Sequence, residues 1–267
     1  MLSGATFFAR GAAAMSCCGQ DQKKAIVPTP AATSGMRKRI EKQPIECYNK
    51  LMNNTVLIAG GVSPVNTYLA EAAERTDYKV LSADSSHSKG SAFSWNPASP
   101  ISARSLILQA ENTFESIGTV ILPFDADSYE DFYSKLSVET ISKGTDNMIL
   151  GYFYIVSEII ARFEKYGEGN LVFFYNDDPN KEKGILASSG AAAFCALAKK
   201  TAQLHAGKPT GIILVKSEST AFQEAADWLF QYITQPGAQK AALNAKYASH
   251  WLKPGSKPPV MIPFLSR

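Results

Sequence analysis

From Thr55 onward, short apolar runs rich in β-branched residues alternate with longer stretches of helical periodicity. This alternation is typical of βαβ units, in which buried parallel strands are joined by helices that cover both faces of the sheet. We therefore expect one α/β domain with a doubly wound, Rossmann-type parallel sheet. The pattern predicts six strands, at 55–59, 79–83, 91–94, 119–122, 170–175 and 211–215. It predicts helices at 64–75, 103–114, 147–166, 189–205 and 221–234, with mostly irregular chain beyond Trp251.

Residues 1–52 differ in composition from the predicted domain at 53–267. They contain Arg10 and several lysines, whereas Asp21 is the only acidic residue before Glu41. A segment poor in acids, rich in Ala and Ser and containing Arg is typical of a mitochondrial transit peptide. The alternative interpretation is a plain leader that leaves the protein in the cytoplasm.

Charge and cysteine content exclude several classes of function. The net charge of +3 over 267 residues makes nucleic acid an unlikely partner on electrostatic grounds. Only a short basic cluster, 36–39, favours the minor alternative of an RNA-associated protein. The four cysteines form no CxxC pair, so neither a disulfide framework nor a zinc site is predicted. No apolar run approaches the roughly 20 residues that span a bilayer.

The turn after the first predicted strand is the first candidate binding site. In doubly wound sheets, ligands bind beyond the carboxyl ends of the strands, and glycines after strand one let the backbone approach a pyrophosphate at the helix N-terminus. Gly60 and Gly61 fit this role, but Pro64 lacks an amide donor and Asn66 adds bulk near the pyrophosphate position. The turn is therefore either a phosphate cradle or a strand–helix turn that needs glycine only for geometry.

Asp84, at the end of the second predicted strand, is the second candidate. A carboxylate there can accept hydrogen bonds from a ribose diol and would repel a 2′-phosphate, which favours NAD over NADP. The alternative is a carboxylate that caps a turn. The candidate cofactor-binding residues are Gly60, Gly61, Val62, Ser63, Asn66 and Asp84.

These features together resemble the short-chain dehydrogenase/reductase superfamily. The resemblance extends from about Thr55 to Thr234 and includes AGGVSPVN after strand one, Asp84 after strand two, and the long apolar helix before NLVFFY. The stretch SSGAAAFCALAKKTAQ is similar to the Ala-rich helix that carries the family's catalytic Tyr and Lys. The resemblance implies a nicotinamide dinucleotide as cofactor.

The family's catalytic residues do not carry over, so no catalytic residue is predicted. Leu186 and Gly190 stand near the positions of the Tyr and Lys, and Tyr175-Asn176 replaces the family's Ser. Only Asn147 resembles the catalytic Asn. Without a phenol whose pKa is lowered by a lysine, carbonyl reduction loses acid catalysis that contributes about 10²- to 10⁴-fold. Asp177 and Asp178 are either a substitute acid or part of an exposed turn.

The predicted helix 147–166 is apolar on nearly every face, so its outer side needs a cover. In the resembling family this helix and its Ala-rich neighbour, 189–205, form the dimer interface. We therefore expect a homo-oligomer or a subunit of a hetero-complex, unless the segment after Gln235 covers these helices. The preferred hypothesis is a catalytically degenerate homologue that serves as a nucleotide-binding or assembly subunit, requires no cofactor and binds NAD at most weakly. The alternative is an atypical NAD(P)-dependent oxidoreductase acting on a small carbonyl or alcohol.

Overall fold

A seven-stranded, all-parallel sheet with the order β3-β2-β1-β4-β5-β6-β7 forms the centre of the fold. The computed structural model describes residues 54–85, 93–218, 220–235 and 249–257. The strands are β1 (Thr55–Gly60), β2 (Lys79–Asp84), β3 (Phe93–Ser94), β4 (Thr119–Asp125), β5 (Asn170–Asn176), β6 (Gly211–Ser217) and β7 (Trp251–Leu252). The predicted doubly wound, Rossmann-type fold is confirmed, and its strand order reverses between β1 and β4.

The helices lie on both faces of the sheet, as the apolar strands require. They are α1 (Pro64–Arg75), α2 (Pro100–Phe114), α3 (Ala126–Tyr133), α4 (Val138–Thr145), α5 (Gly151–Tyr166), α6 (Ile185–Leu204) and α7 (Phe222–Ile233). Helices α1 and α7 pack on one face, while α2, α5 and α6 cover the other. Every residue of β1 and β4 is buried, which explains their continuous apolar runs.

Local signals set several element boundaries. Ser63 caps α1, with Pro64 in the first turn, where its missing amide costs nothing. Gly167 ends α5 in the left-handed conformation at φ 77°. A π-helical turn, Asp146–Leu150, precedes α5. The first residue of α5 is Gly151, and a larger residue would not fit there because its Cβ would collide with Trp95.

The sequence-based assignment of strands and helices needs several corrections. The sheet has seven strands and not six, because Trp251–Leu252 adds β7 at the edge beside β6. The fourth strand, predicted at 119–122, continues to Asp125. Two short helices, α3 and α4, were not predicted. Helix α6 begins at Ile185, four residues before the predicted start.

Other predictions fall on parts of the chain outside the described ranges. Residues 1–53 are among them, so the boundary at 52/53 and the transit peptide stay predictions. Within the described ranges, no helix combines the length and the apolar content needed to cross a membrane.

Candidate functional site

The crevice at the strand-order reversal is lined by the turn after β1 and the end of β4. Ser63 stands at the N-terminus of α1, and its Oγ accepts a hydrogen bond from the Val65 amide at 3.1 Å. The same Oγ donates to Oδ2 of Asp125, the last residue of β4, at 2.6 Å. The turn is thus bonded directly to the neighbouring strand.

Asp125 is the acceptor at the centre of a buried polar network. Asp125 is only 3% exposed to solvent. Besides Ser63, it accepts hydrogen bonds from Ser128 Oγ at 2.6 Å and from Asn176 Nδ2 at 3.1 Å. One carboxylate therefore joins the ends of β4 and β5 to the starts of α1 and α3.

Asn66 closes the turn from within. Its Nδ2 donates to the Gly61 carbonyl at 2.7 Å, and the residue is 7% exposed. The Asn66 amide donates to the Ser63 carbonyl at 3.2 Å, and the Val65 amide is bonded to Ser63 Oγ. Pro64 has no amide hydrogen, so the first donors of α1 are the Val65 and Asn66 amides. Both are bonded to Ser63.

Two buried phenols pack against the glycines of the turn. The hydroxyls of Tyr129 and Tyr152 are 3.1 Å apart, and Tyr152 also donates to the Pro123 carbonyl. A Cβ at Gly61 would overlap the Tyr129 hydroxyl, and one at Gly60 would lie 2.7 Å from the Pro123 carbonyl oxygen. Both glycines are thus required for close packing of the protein on itself. Burial raises the pKa of both phenols well above the ordinary value, so neither is a ready proton donor.

A small cavity remains beside the turn. Its volume is about 160 Å³, below the 300–1,000 Å³ typical of small-molecule sites. It is lined by Val62, Ser85, Tyr129, Phe132, Tyr133 and Asn147. Asn147 lies in the π-helical turn, and its Nδ2 donates to the Tyr133 hydroxyl at 2.6 Å and to the Lys143 carbonyl at 2.9 Å. Helix α3 thus brings the aromatic side chains of Tyr129, Phe132 and Tyr133 to this cavity.

Asp84 ends β2, where the sequence places it. The residue is 8% exposed and lies in register with Gly60 of β1 and Ser94 of β3. The candidate cofactor residues therefore do meet at one edge of the sheet. Gly61, Ser63 and Asn66 are bonded to one another within the turn, and the choice between a phosphate cradle and a structural turn stays a prediction.

Leu186 and Gly190, which the sequence resemblance aligns near the family's catalytic pair, both take part in packing. A Cβ at Gly190 would lie 2.8 Å from Met148 Cβ, and Leu186 packs against Gly144. Within the described residues, no group of three His, Cys, Asp or Glu side chains is arranged to hold a metal ion.

A second polar network follows β5. The Tyr175 hydroxyl donates to Asp177 at 2.8 Å. Lys183, whose side chain is 9% exposed, forms ion pairs with Asp177 at 2.9 Å and with Asp127 at 2.8 Å. A phenol and an ammonium therefore lie near each other, but a carboxylate separates them.

The electrostatics of this network oppose proton donation. Burial, reinforced by the hydrogen bond to Asp177, raises the pKa of Tyr175 far above its usual range. Burial alone would raise the pKa of Asp177, but the hydrogen bonds from Lys183 and Tyr175 hold it below the ordinary value. Asp178 accepts from the Asn180 amide at 2.9 Å, which fits the predicted turn.

Comparison with known proteins identifies the fold. No protein-family model matches the chain. An uncharacterized protein of Treponema pallidum (strain Nichols) is 24% identical over 166 residues, covering 61% of this chain and 72% of that protein.

Solved structures that share the fold are short-chain dehydrogenases. The citronellol catabolism dehydrogenase AtuB of Pseudomonas aeruginosa PAO1 superimposes with a TM-score of 0.58 at 12% identity, covering 75% of this chain and 92% of that one. ElxO with NADP bound gives 0.57 at 15% identity, covering 74% and 100%. A short-chain dehydrogenase of Leptospira borgpetersenii serovar Hardjo-bovis (strain JB197) with bound NAD+ gives 0.52 at 13% identity, covering 74% and 85%. The chain has the short-chain dehydrogenase fold.

Proposed function

We propose that this protein is a catalytically inactive relative of the short-chain dehydrogenases that serves as an assembly subunit and requires no cofactor. The observation that carries the proposal is the contact between Ser63 and Asp125. It places a buried carboxylate oxygen 2.6 Å from the capping hydroxyl of α1, where the fold would otherwise hold a pyrophosphate.

The carboxylate acts against dinucleotide binding by charge. A carboxylate at this end of the crevice repels an anionic pyrophosphate placed beside it, and the repulsion is larger in a partly buried site than in water. The amides of Val65 and Asn66 already donate to Ser63, so they are not available to a phosphate that could offset this repulsion. We therefore expect a dinucleotide to bind weakly at most.

The absence of a suitable acid supports the catalytic part of the proposal. Among the described residues near the site, Tyr129, Tyr152 and Tyr175 have pKa values raised by burial. Carbonyl reduction in the short-chain dehydrogenase family uses a phenol with a lowered pKa as the proton donor. We therefore expect these side chains to stabilise the fold and not to serve as the proton donor of a reduction.

Two measurements test the proposal. NADH and NADPH are titrated at up to millimolar concentration by calorimetry, and turnover is followed at 340 nm with a panel of small aldehydes and ketones. We expect little or no saturable binding and no turnover by the wild type. Asp125→Asn removes the charge and should therefore bind the dinucleotides more tightly than the wild type. Asp131→Asn, on the exposed side of α3, is the matched control and should bind them as the wild type does. Steady NADH oxidation by the wild type would overturn the proposal.

One observation favours the alternative of an atypical NAD(P)-dependent oxidoreductase. Asp84 ends β2 beside Gly60, a position from which a carboxylate can accept from a ribose diol. The relatives solved with NADP and with NAD+ share the fold. If this alternative holds, NADH raises the melting temperature, since a ligand that binds only the folded state stabilises it, and Asp84→Asn abolishes the increase.

We further propose that α5 and α6, within the predicted ranges 147–166 and 189–205, contact a second copy of the chain or another subunit. Phe153 is 48% exposed and Leu150 is 36% exposed. On α6, Ala192 and Ala196 are exposed and small enough to permit close helix approach. An apolar face of this kind is typical of a protein contact.

A mitochondrial location is the final part of the proposal. Its support is the acid-poor composition of residues 1–52, with the cytoplasm as the alternative. A fluorescent protein fused behind residues 1–52 is expected to accumulate in mitochondria. An even cytoplasmic distribution would contradict the prediction.

A further inference from the structure

A cavity of about 440 Å³ lies between α6 and the edge of the sheet formed by β5, β6 and β7. It is larger than the 160 Å³ cavity beside the turn and falls within the size range of small-molecule sites. It is lined by Tyr175, Asp177, Ser188, Ala191, Ala192, Cys195, Lys199, Lys216 and Trp251.

The lining of this cavity includes no residue of the turn after β1 and no residue of β4. The residues that α6 contributes recur at three- and four-residue spacing, so they form one stripe of the helix. Gly190, on the opposite stripe, packs against Met148. The cavity therefore opens on the side of α6 that faces away from the positions of the family's catalytic pair.

The interior of the cavity is apolar and aromatic. The rings of Tyr175 and Trp251 have centroids 6.1 Å apart and are inclined at 56°. Cys195 and Ala191 add apolar surface on the helix side. Burial raises the pKa of the Cys195 thiol, so it contributes packing and not a nucleophile. Surfaces of this composition favour a flat apolar ligand.

The charged groups give the cavity a positive character. Both oxygens of Asp177 are engaged, one with the Tyr175 hydroxyl at 2.8 Å and the other with Lys183 at 2.9 Å. Lys216 Nζ lies 5.8 Å from the Tyr175 ring centroid and pairs with Glu218 at 3.1 Å. Lys199 is exposed and supplies a second ammonium at the rim.

We infer that this cavity binds a small organic carboxylate with a flat apolar body. The aromatic rings accommodate the body, and the ammonium of Lys199, assisted by Lys216, attracts the carboxylate. The site uses neither the turn after β1 nor a dinucleotide, so it does not rest on the proposed loss of the cofactor. It shares only Ala192 with the proposed contact surface of α6.

Ligand-observed NMR titration with 2-naphthoate tests the inference, with the neutral 2-naphthamide as an isosteric probe. We expect the carboxylate to bind about three- to fivefold more tightly than the amide, the contribution of one partly exposed ion pair. Lys199→Glu is expected to weaken naphthoate binding about tenfold, because attraction becomes repulsion. Lys200→Glu, on the next exposed position of α6, should leave it unchanged.

A second pair of variants tests the location. Ala192→Trp fills the cavity from an exposed position and should abolish naphthoate binding, whereas Ser105→Trp, at an exposed position of α2 that does not line the cavity, should preserve it. Equal affinity for naphthoate and naphthamide would overturn the inference. So would naphthoate binding that survives Ala192→Trp, or no binding of either probe by the wild type.

Discussion

Ser63 Oγ donates a hydrogen bond to Asp125 Oδ2 at 2.6 Å across the point where the strand order reverses, although the residues are 62 positions apart in the chain. In a doubly wound sheet this point is a crevice that receives a ligand. Here a side-chain hydrogen bond joins the start of α1 to the end of β4 at this point. The proposed loss of the dinucleotide site rests on this bond.

Asp125→Asn is expected to lower the free energy of unfolding by about 2–4 kcal/mol, because a buried acceptor of three hydrogen bonds becomes an amide that satisfies fewer of them. Urea denaturation measures the change. Asp131→Asn, on the exposed side of α3, should remain within about 0.5 kcal/mol of the wild type. A loss below 1 kcal/mol for Asp125→Asn would show that the network contributes little.

Gly61→Ala should destabilise the protein by about 1–3 kcal/mol, because the added methyl group overlaps the Tyr129 hydroxyl. Tyr129→Phe removes that hydroxyl and its bond to Tyr152, which alone costs about 1 kcal/mol. The double variant should lose less stability than the sum of the two single changes, with a coupling of at least about 0.5 kcal/mol. Strict additivity would contradict the predicted contact.

The fold could be predicted because its signals are local. Buried parallel strands read as continuous apolar runs, and both Ser63-Pro64 and Gly167 mark helix ends in the sequence. Helices α3 and α4 were missed because each has only eight residues, too few for the apolar periodicity to stand out.

The site depended on long-range contacts that no local pattern contains. Asp125 was missed because Pro123 within an apolar run argues against a strand, and the predicted strand therefore ended at Leu122. Lys183 pairs with Asp127 and Asp177 from a loop whose composition predicts only an exposed turn. The one available signal was the polar residue directly after each apolar run, which led to Asp84 but not to Asp125.

Lys183→Met should destabilise the protein by about 1–3 kcal/mol near pH 7, since it leaves two partly buried carboxylates without their cation. The loss should depend on pH. The pKa of Asp177 is lowered in the folded state, so its contribution is present above the unfolded value of about 4 and disappears as the pH falls through the folded pKa. The pKa of Lys183 is raised, because its bonds to Asp127 and Asp177 outweigh burial, so its contribution disappears only at strongly alkaline pH.

Melting temperatures of wild type and Lys183→Met between pH 2 and 9 check this dependence. The difference between the two proteins should be constant from about pH 5 to 9 and should shrink below about pH 4. Lys181→Met is the matched control, because Lys181 is 56% exposed and lies 3.7 Å from Asp127. A difference that does not vary with pH would show that packing, and not charge, explains the effect.

Phe153→Glu tests the proposed contact surface on α5. The ring is 48% exposed and follows the π-helical turn, so a charge there should disrupt an apolar interface while leaving the fold of one chain intact. Light scattering coupled to size exclusion should show an oligomer for the wild type and the mass of one chain for Phe153→Glu.

Val138→Glu is the control, because Val138 is an 87% exposed apolar residue on α4, outside the two proposed helices. If the wild type already has the mass of one chain, the homo-oligomer is wrong, and the predictions that remain are a different subunit and the segment after Gln235. If Val138→Glu dissociates the oligomer and Phe153→Glu does not, the contact lies on the α3–α4 side of the molecule.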